Sequence, residues 1–245
     1  MCIRDSLKRT YHFLLILGFA TTFFACQQET IRIDGYEVHG LDVSRYQGAV
    51  DWNKVVAQNI DFVFIKATEG NTLIDSQFHN NWKQLSELKV RKGAYHFFRP
   101  TVSSVEQAKH FTALVKLDKG DLPPVLDIEI TDGVSKSSLI NSAKSWIEIV
   151  ERSCGMKPII YTSQKFYNTH LEGYFDDHPL WIARYNNYAE PAINGINSWT
   201  FWQYGNQGRI DGIDGDVDFN VFRGNSNELD NLTAKPSAVL SFNKR

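Results

Sequence analysis

Five carboxylates sit at the edges of short apolar segments. Asp42 falls within His39-Gly40-Leu41-Asp42, Asp127 and Glu129 close the run that starts at Pro124, and Asp216 and Asp218 straddle the start of the run from Val217. Side chains alternate along a strand, so Asp127 and Glu129, two residues apart, point to one side. That side cannot be a dry core. Ionised carboxyls in an apolar interior are costly unless each finds a partner, and no Lys or Arg stands at a matching spacing. A polar cleft removes the cost and adds chemistry. Like charges held close disfavour double ionisation, so one member of such a pair keeps its proton near neutral pH and can donate it. An Asp-x-Glu pair by itself is more commonly a solvated loop feature. The company of Asp42 and Asp218 on two other segments favours a catalytic set.

The elements that must position these acids follow from the pattern of apolar residues. Strands are expected at His39 to Ser44, Phe62 to Thr68, Lys92 to Phe98, Pro124 to Ile130, Pro158 to Ser163, Leu180 to Tyr185, Thr200 to Gly205 and Val217 to Phe222. Amphipathic helices are expected between the first five, at Asp51 to Asn59, Gln77 to Leu88, Ser104 to Leu117 and Ser137 to Arg152. The last of these carries Leu139, Ile140, Ala143, Trp146, Ile147 and Val150 at helical spacing. The later intervals have little helical signal. The expectation is an α/β fold, a modified TIM-like (β/α) barrel with eight strands and about five helices. In such a barrel the strand ends at one mouth gather catalytic residues, and the first and eighth strands become neighbours. Asp42, Asp127, Glu129 and Asp218 then converge, and alternation turns Asp216 the same way as Asp218.

Composition excludes several alternatives. The formal net charge is -2 with no run of Lys or Arg, so neither a nucleic-acid footprint nor a polybasic membrane patch is present. No Gly-rich phosphate loop, dinucleotide fingerprint or His-Glu-x-x-His metal helix occurs, and no Ser lies in a nucleophile-elbow frame. Only Cys2, Cys26 and Cys154 are available, which excludes a disulfide framework and a cysteine zinc site and leaves Cys154 as a structural thiol. His39, His79, His96, His110, His170 and His178 are scattered; each is expected to be structural, with His96, on a strand end, able to line a cleft.

The N-terminus carries an address. Arg4, Lys8 and Arg9 precede an apolar run from Phe13 to Ala25 that suits a signal peptide and is short for a membrane span. The run stops at Cys26, in a setting that resembles the lipobox of bacterial lipoproteins, although Phe23 and Phe24 fit that pattern poorly. Lipidation at Cys26 and an exported, envelope location are expected, with ordinary cleavage nearby as the alternative. Residues 27–37 read as a tether, 38–224 as the barrel and 225–245 as a polar, loosely ordered tail.

Eight segments, "HGLDVSRYQGAVDW", "FVFIKATEG", "GAYHFFRP", "PPVLDIE", "PIIYTS", "LWIARY", "FWQYG" and "GIDGDVDFNVF", resemble in order the motif blocks of glycoside hydrolase family 25, the Chalaropsis-type lysozymes. They cover Val38 to Phe222. The resemblance implies N-acetylmuramidase action on the β-1,4 bond between N-acetylmuramic acid and N-acetylglucosamine, with no metal or organic cofactor. Carried over by position, Glu129 is the general acid, Asp127 its partner, and Asp42 and Asp218 the supporting acids; Asp216 departs from the commoner Asn or Ser. After protonation of the glycosidic oxygen two routes stay open, orientation of the substrate 2-acetamido group by Asp127 or direct activation of water. Tyr95, Tyr161, Tyr185, Trp202, Gln203 and Tyr204 are expected to line the cleft, although strand aromatics equally suit core filling. The expected partners are peptidoglycan glycan strands and, through the lipid, a membrane, with the protein a monomer. A chitinase-like hydrolase needs a longer acidic motif on the fourth strand, and a non-catalytic glycan-binding lipoprotein predicts missing acids.

Overall fold

Runs of β-branched and aromatic residues become the strands of one closed sheet in the computed structural model, which describes residues 32–185, 189–195 and 198–235. The strands are β1 (Val38–Val43), β2 (Phe62–Glu69), β3 (Leu73–Ile74), β4 (Arg91–Phe97), β5 (Val125–Asp127), β6 (Ile159–Ser163), β7 (Leu180–Ala183), β8 (Phe201–Gly208) and β9 (Val217–Phe222). All but the two-residue β3 belong to the barrel, in the order β1-β2-β4-β5-β6-β7-β8-β9 and back to β1. Neighbours from β1 to β8 run parallel, whereas β9 is antiparallel to both β8 and β1. The barrel is therefore mixed, and its closing strand is reversed. This reversal matters for Asp218. At the start of a parallel strand it would lie at the far mouth, but β9 enters from the mouth that the other strands leave, so Asp218 pairs in register with Asp42.

Helices α1 (Trp52–Val56), α2 (Phe78–Glu87), α3 (Ser104–Leu114), α4 (Lys136–Cys154) and α5 (Gln164–Phe166) follow successive early strands, with α6 (Ser226–Leu232) at the end. Six α-helices thus stand against the five expected. No helix lies between β7 and β9 among the described residues. The longest, α4, has the predicted apolar face: Leu139, Ile140, Ala143, Trp146, Ile147 and Val150 are all buried. Ser135 caps its first turn, and Gly155, at φ 70°, supplies the left-handed residue that ends it.

Two cores follow from strand alternation. One face of each strand meets the helices, and the other fills the barrel with Val38, Phe62, Phe64, Val125, Ile159, Trp181, Phe201 and Phe222. Room for these rings is made by glycine. A Cβ on Gly93 would lie 2.7 Å from the Phe64 ring, and one on Gly40 would lie 2.6 Å from the Phe62 ring.

The expected boundaries need correction at both ends. Ile33 and Tyr36, read as tether, pack against the helix-side core, and the Tyr36 hydroxyl donates to Glu190 over 2.6 Å. Ser226–Leu232, read as loose tail, form α6 because Asn225 and Glu228 make a capping box and Leu229 inserts into the barrel core. Cys26 and the expected signal segment lie outside the described residues.

Candidate active site

The outgoing mouth of the barrel holds a cleft of about 370 Å³. Asp42 comes from β1, Asp127 from the last position of β5, Glu129 from the chain just beyond it and Asp218 from β9, and all four line this cleft. Tyr95, Tyr161, Tyr185 and Gln203 line it too, as expected. Asp42 and Asp127 are buried, Asp218 is half-buried and Glu129 reaches solvent at the rim.

Two of the expected residues do not reach the cleft. Trp202 and Tyr204 are buried on the helix side, where the Trp202 indole donates to the Arg184 carbonyl over 2.9 Å. Alternation explains this: if Gln203 faces inward, both neighbours must face outward. Asp216 precedes β9 and is exposed, paired with Arg209 over 2.8 Å, so it is no part of the acid cluster. His96 also faces the helices. Its Nδ1 lies 2.7 Å from Thr68 Oγ1 and its Nε2 3.1 Å from Gln107 Oε1, and burial pushes its pKa down to about 3. It stays neutral and structural.

Several cleft residues were not evident from sequence. Lys66 lies on the same face of β2 as Phe62 and Phe64, and it is the cation that lines the cleft. Its Nζ meets Glu69 Oε2 over 2.8 Å, while Arg99 binds the other oxygen of Glu69 over 2.5 Å and 3.0 Å. Burial raises the Glu69 pKa, but these hydrogen bonds outweigh it and hold the carboxyl ionised. Lys66 and Arg99 also stand 4.9 Å from the centre of the Phe97 ring. Asn220, two residues beyond Asp218, donates to Asp42 Oδ2 over 2.8 Å, as does Gln203 Nε2 over 2.8 Å. Tyr46, 76% exposed, forms the lip on a one-turn helix (Arg45–Gln47) fixed by a Ser44–Gln47 capping box.

The electrostatics divide the acids into two pairs. Asp127 and Glu129 are hydrogen-bonded to each other, and burial raises both; the Glu129 charge and the shared hydrogen bond raise Asp127 further, whereas the same hydrogen bond and then Lys66 pull Glu129 back down, so the pair's proton rests on Asp127. The pair therefore retains a proton at pH values where separate carboxyls have lost theirs. Asp42 is raised well above the carboxylate range by burial and then by the Asp218 charge, against the pull of Asn220 and Gln203. Burial likewise raises Tyr95, Tyr161 and Tyr185, so their hydroxyls remain donors. One acceptor is left over: Asp127 Oδ1 is buried and makes no hydrogen bond. Such an atom in a cleft calls for a donor from a ligand.

A family model described as glycosyl hydrolases family 25 matches residues 41–213. The chain is 44% identical over 199 residues to the uncharacterized protein YegX of Escherichia coli K12, across 79% of this chain and 72% of that one. It is 34% identical over 209 residues to Lysozyme M1 of Streptomyces globisporus, across 78% of this chain and 70% of the relative. A solved family 25 glycosyl hydrolase from Bacillus anthracis superposes with a TM-score of 0.77 at 34% identity, covering 83% of this chain and 96% of that one.

Proposed function

The chain belongs to glycosyl hydrolase family 25, and on that premise we propose that it is a muramidase that cleaves the β-1,4 bond between N-acetylmuramic acid and N-acetylglucosamine in peptidoglycan. The observation that carries this reading is the hydrogen-bonded Asp127–Glu129 pair in an open cleft, raised by burial so that it holds a proton. Glu129 is the solvent-facing member and delivers that proton to the glycosidic oxygen as the sugar gains oxocarbenium character. Asp127 holds the pair's proton in the free enzyme, becomes ionised as that proton passes through Glu129 to the glycosidic oxygen, and then faces the developing positive charge. Its unpaired Oδ1 suits the N–H of a 2-acetamido group, which favours orientation of that group over direct activation of water. Asp42 and Asp218 add negative charge on the opposite wall. The test is the Glu129→Gln variant assayed for reducing ends released from purified peptidoglycan. A loss of about 10²- to 10⁴-fold in kcat is expected; unchanged release would remove Glu129 from the mechanism.

The same proposal extends to location. Export directed by the apolar run from Phe13 to Ala25, with acylation at Cys26, would hold the enzyme at the cell envelope. Mass spectrometry of the mature N-terminus should find an acylated Cys26 that Cys26→Ala lacks, and a free amino terminus at another position would reject lipidation.

A further inference from the structure

Gln203 and Asn220 are both buried beside Asp42, 2% and 0% exposed. An amide side chain carries a donor at one end and an acceptor at the other, and its surroundings decide which faces which. The indole N–H of Trp181, which can only donate, lies 2.8 Å from Asn220 Oδ1 and so turns the Asn220 nitrogen toward Asp42. The hydroxyls of Tyr161 and Tyr185 donate to Gln203 Oε1 over 2.6 Å and 2.7 Å, which turns the Gln203 nitrogen to the same Asp42 oxygen. Asp42 Oδ2 thus receives two N–H groups and has no place for a proton. Asp42 and Asp218 are cross-strand partners and hydrogen-bonded to each other. Their shared proton is therefore confined to the edge of Asp42 that faces Asp218.

We propose that Gln203 and Asn220 are positioning residues, anchored by two tyrosines and a tryptophan, that keep one oxygen of Asp42 a permanent acceptor and so fix where the Asp42–Asp218 pair carries its proton. This gives Gln203 a positioning role, because its oxygen is committed to the two hydroxyls and one of its two amide N–H groups to Asp42. The other titratable groups facing Asp42 are Asp218 from β9, Tyr95 from β4, Asp127 from β5, Tyr161 from β6 and Tyr185 beyond β7. Lys66 from β2 lines the same cleft. The role in turnover rests on the muramidase reading; the proton arrangement does not.

The test is a carboxyl ¹³C NMR titration of Asp42 in the wild type and in two variants. Asn220→Asp keeps the indole bond but loses the donor, and Gln203→Met loses the donor without adding charge, so failure of one to fold leaves the other. In each, the Asp42 midpoint should move up by about one unit or more, because a hydrogen bond that favoured the ionised form is gone. The kinetic companion is a fall of about tenfold or more in kcat at neutral pH, with KM changed less than about threefold. In Asn220→Asp, activity should recover toward acidic pH as the new carboxyl gains a proton to donate. An Asp42 midpoint within about 0.3 unit of wild type in the folded variants would overturn the proposal, as would a lowered Tm with an unshifted pH profile. A shifted midpoint in an enzyme that releases nothing from peptidoglycan would support this inference and reject the muramidase reading.

Discussion

Asp127 combines burial, a like-charged neighbour and an oxygen without a partner, so its presence costs stability that the fold recovers elsewhere. In the unfolded chain it ionises at an ordinary carboxylate pKa, whereas in the folded state its pKa is raised. Between those values the folded state binds the extra proton, and stability is lost as pH rises through the interval. Asp127→Asn removes that titration, and its amide can donate to Glu129. It should raise Tm at pH 7 by about 2–4 °C, which for a chain of this size is roughly 1 kcal/mol, while lowering activity. The gain should vanish near pH 4, and calorimetry at the two pH values checks it; a lower Tm at pH 7 would contradict the account. The same raised pair predicts the alkaline limb of the pH–rate profile. The rate falls as the pair loses its shared proton, and His96, held neutral with a pKa near 3, contributes no limb near pH 6.5. Asp127 and Glu129 were legible because two-residue spacing on a strand fixes a common face, whereas the same spacing did not separate Asp218 from Asp216, and the family resemblance chose between them. The same rule, applied to Gln203, would have excluded Trp202 and Tyr204. Lys66 escaped notice because it enters from β2, two strands from Asp127 around the barrel, where sequence spacing carries no information about distance.

The elements that position the acids depend on a few local fits. Gly93 lies against the Phe64 ring, and Gly93→Ala should cost about 1–3 kcal/mol, because a Cβ 2.7 Å from that ring forces the barrel interior to shift. Helix α6 is a second case. Leu229→Ala should cost about 2–5 kcal/mol and Asn225→Ala about 1 kcal/mol, measured by denaturant unfolding. If both changes were silent, α6 would be no part of the folded barrel. The strands and the four long helical patterns were legible because period-2 and period-3.6 apolar spacing is strong in them. Two features were not. A seven-residue helix in polar sequence offers little periodicity, although the Asn225 and Glu228 capping box was a usable sign. The reversal of β9 depends on the short connection from Gly208 to Val217, which leaves room for a hairpin and none for a crossover helix.

At the scale of the molecule, the barrel interior is filled with aromatic and aliphatic side chains below the cleft, and the four acids gather at one mouth. Closure by a reversed strand brings acids from residues 42, 127, 129 and 218 to a single site, which no local segment could assemble. Family 25 membership, the fold and the carboxyl pairs all converge on hydrolysis of a glycan, and the identity of the bond is the central claim. It is tested most directly by mass spectrometry of the fragments that the soluble domain releases from purified peptidoglycan. Muramic acid at the new reducing ends, absent from a Glu129→Gln control, is the result predicted here; glucosamine at those ends, or equal release by the control, would contradict it.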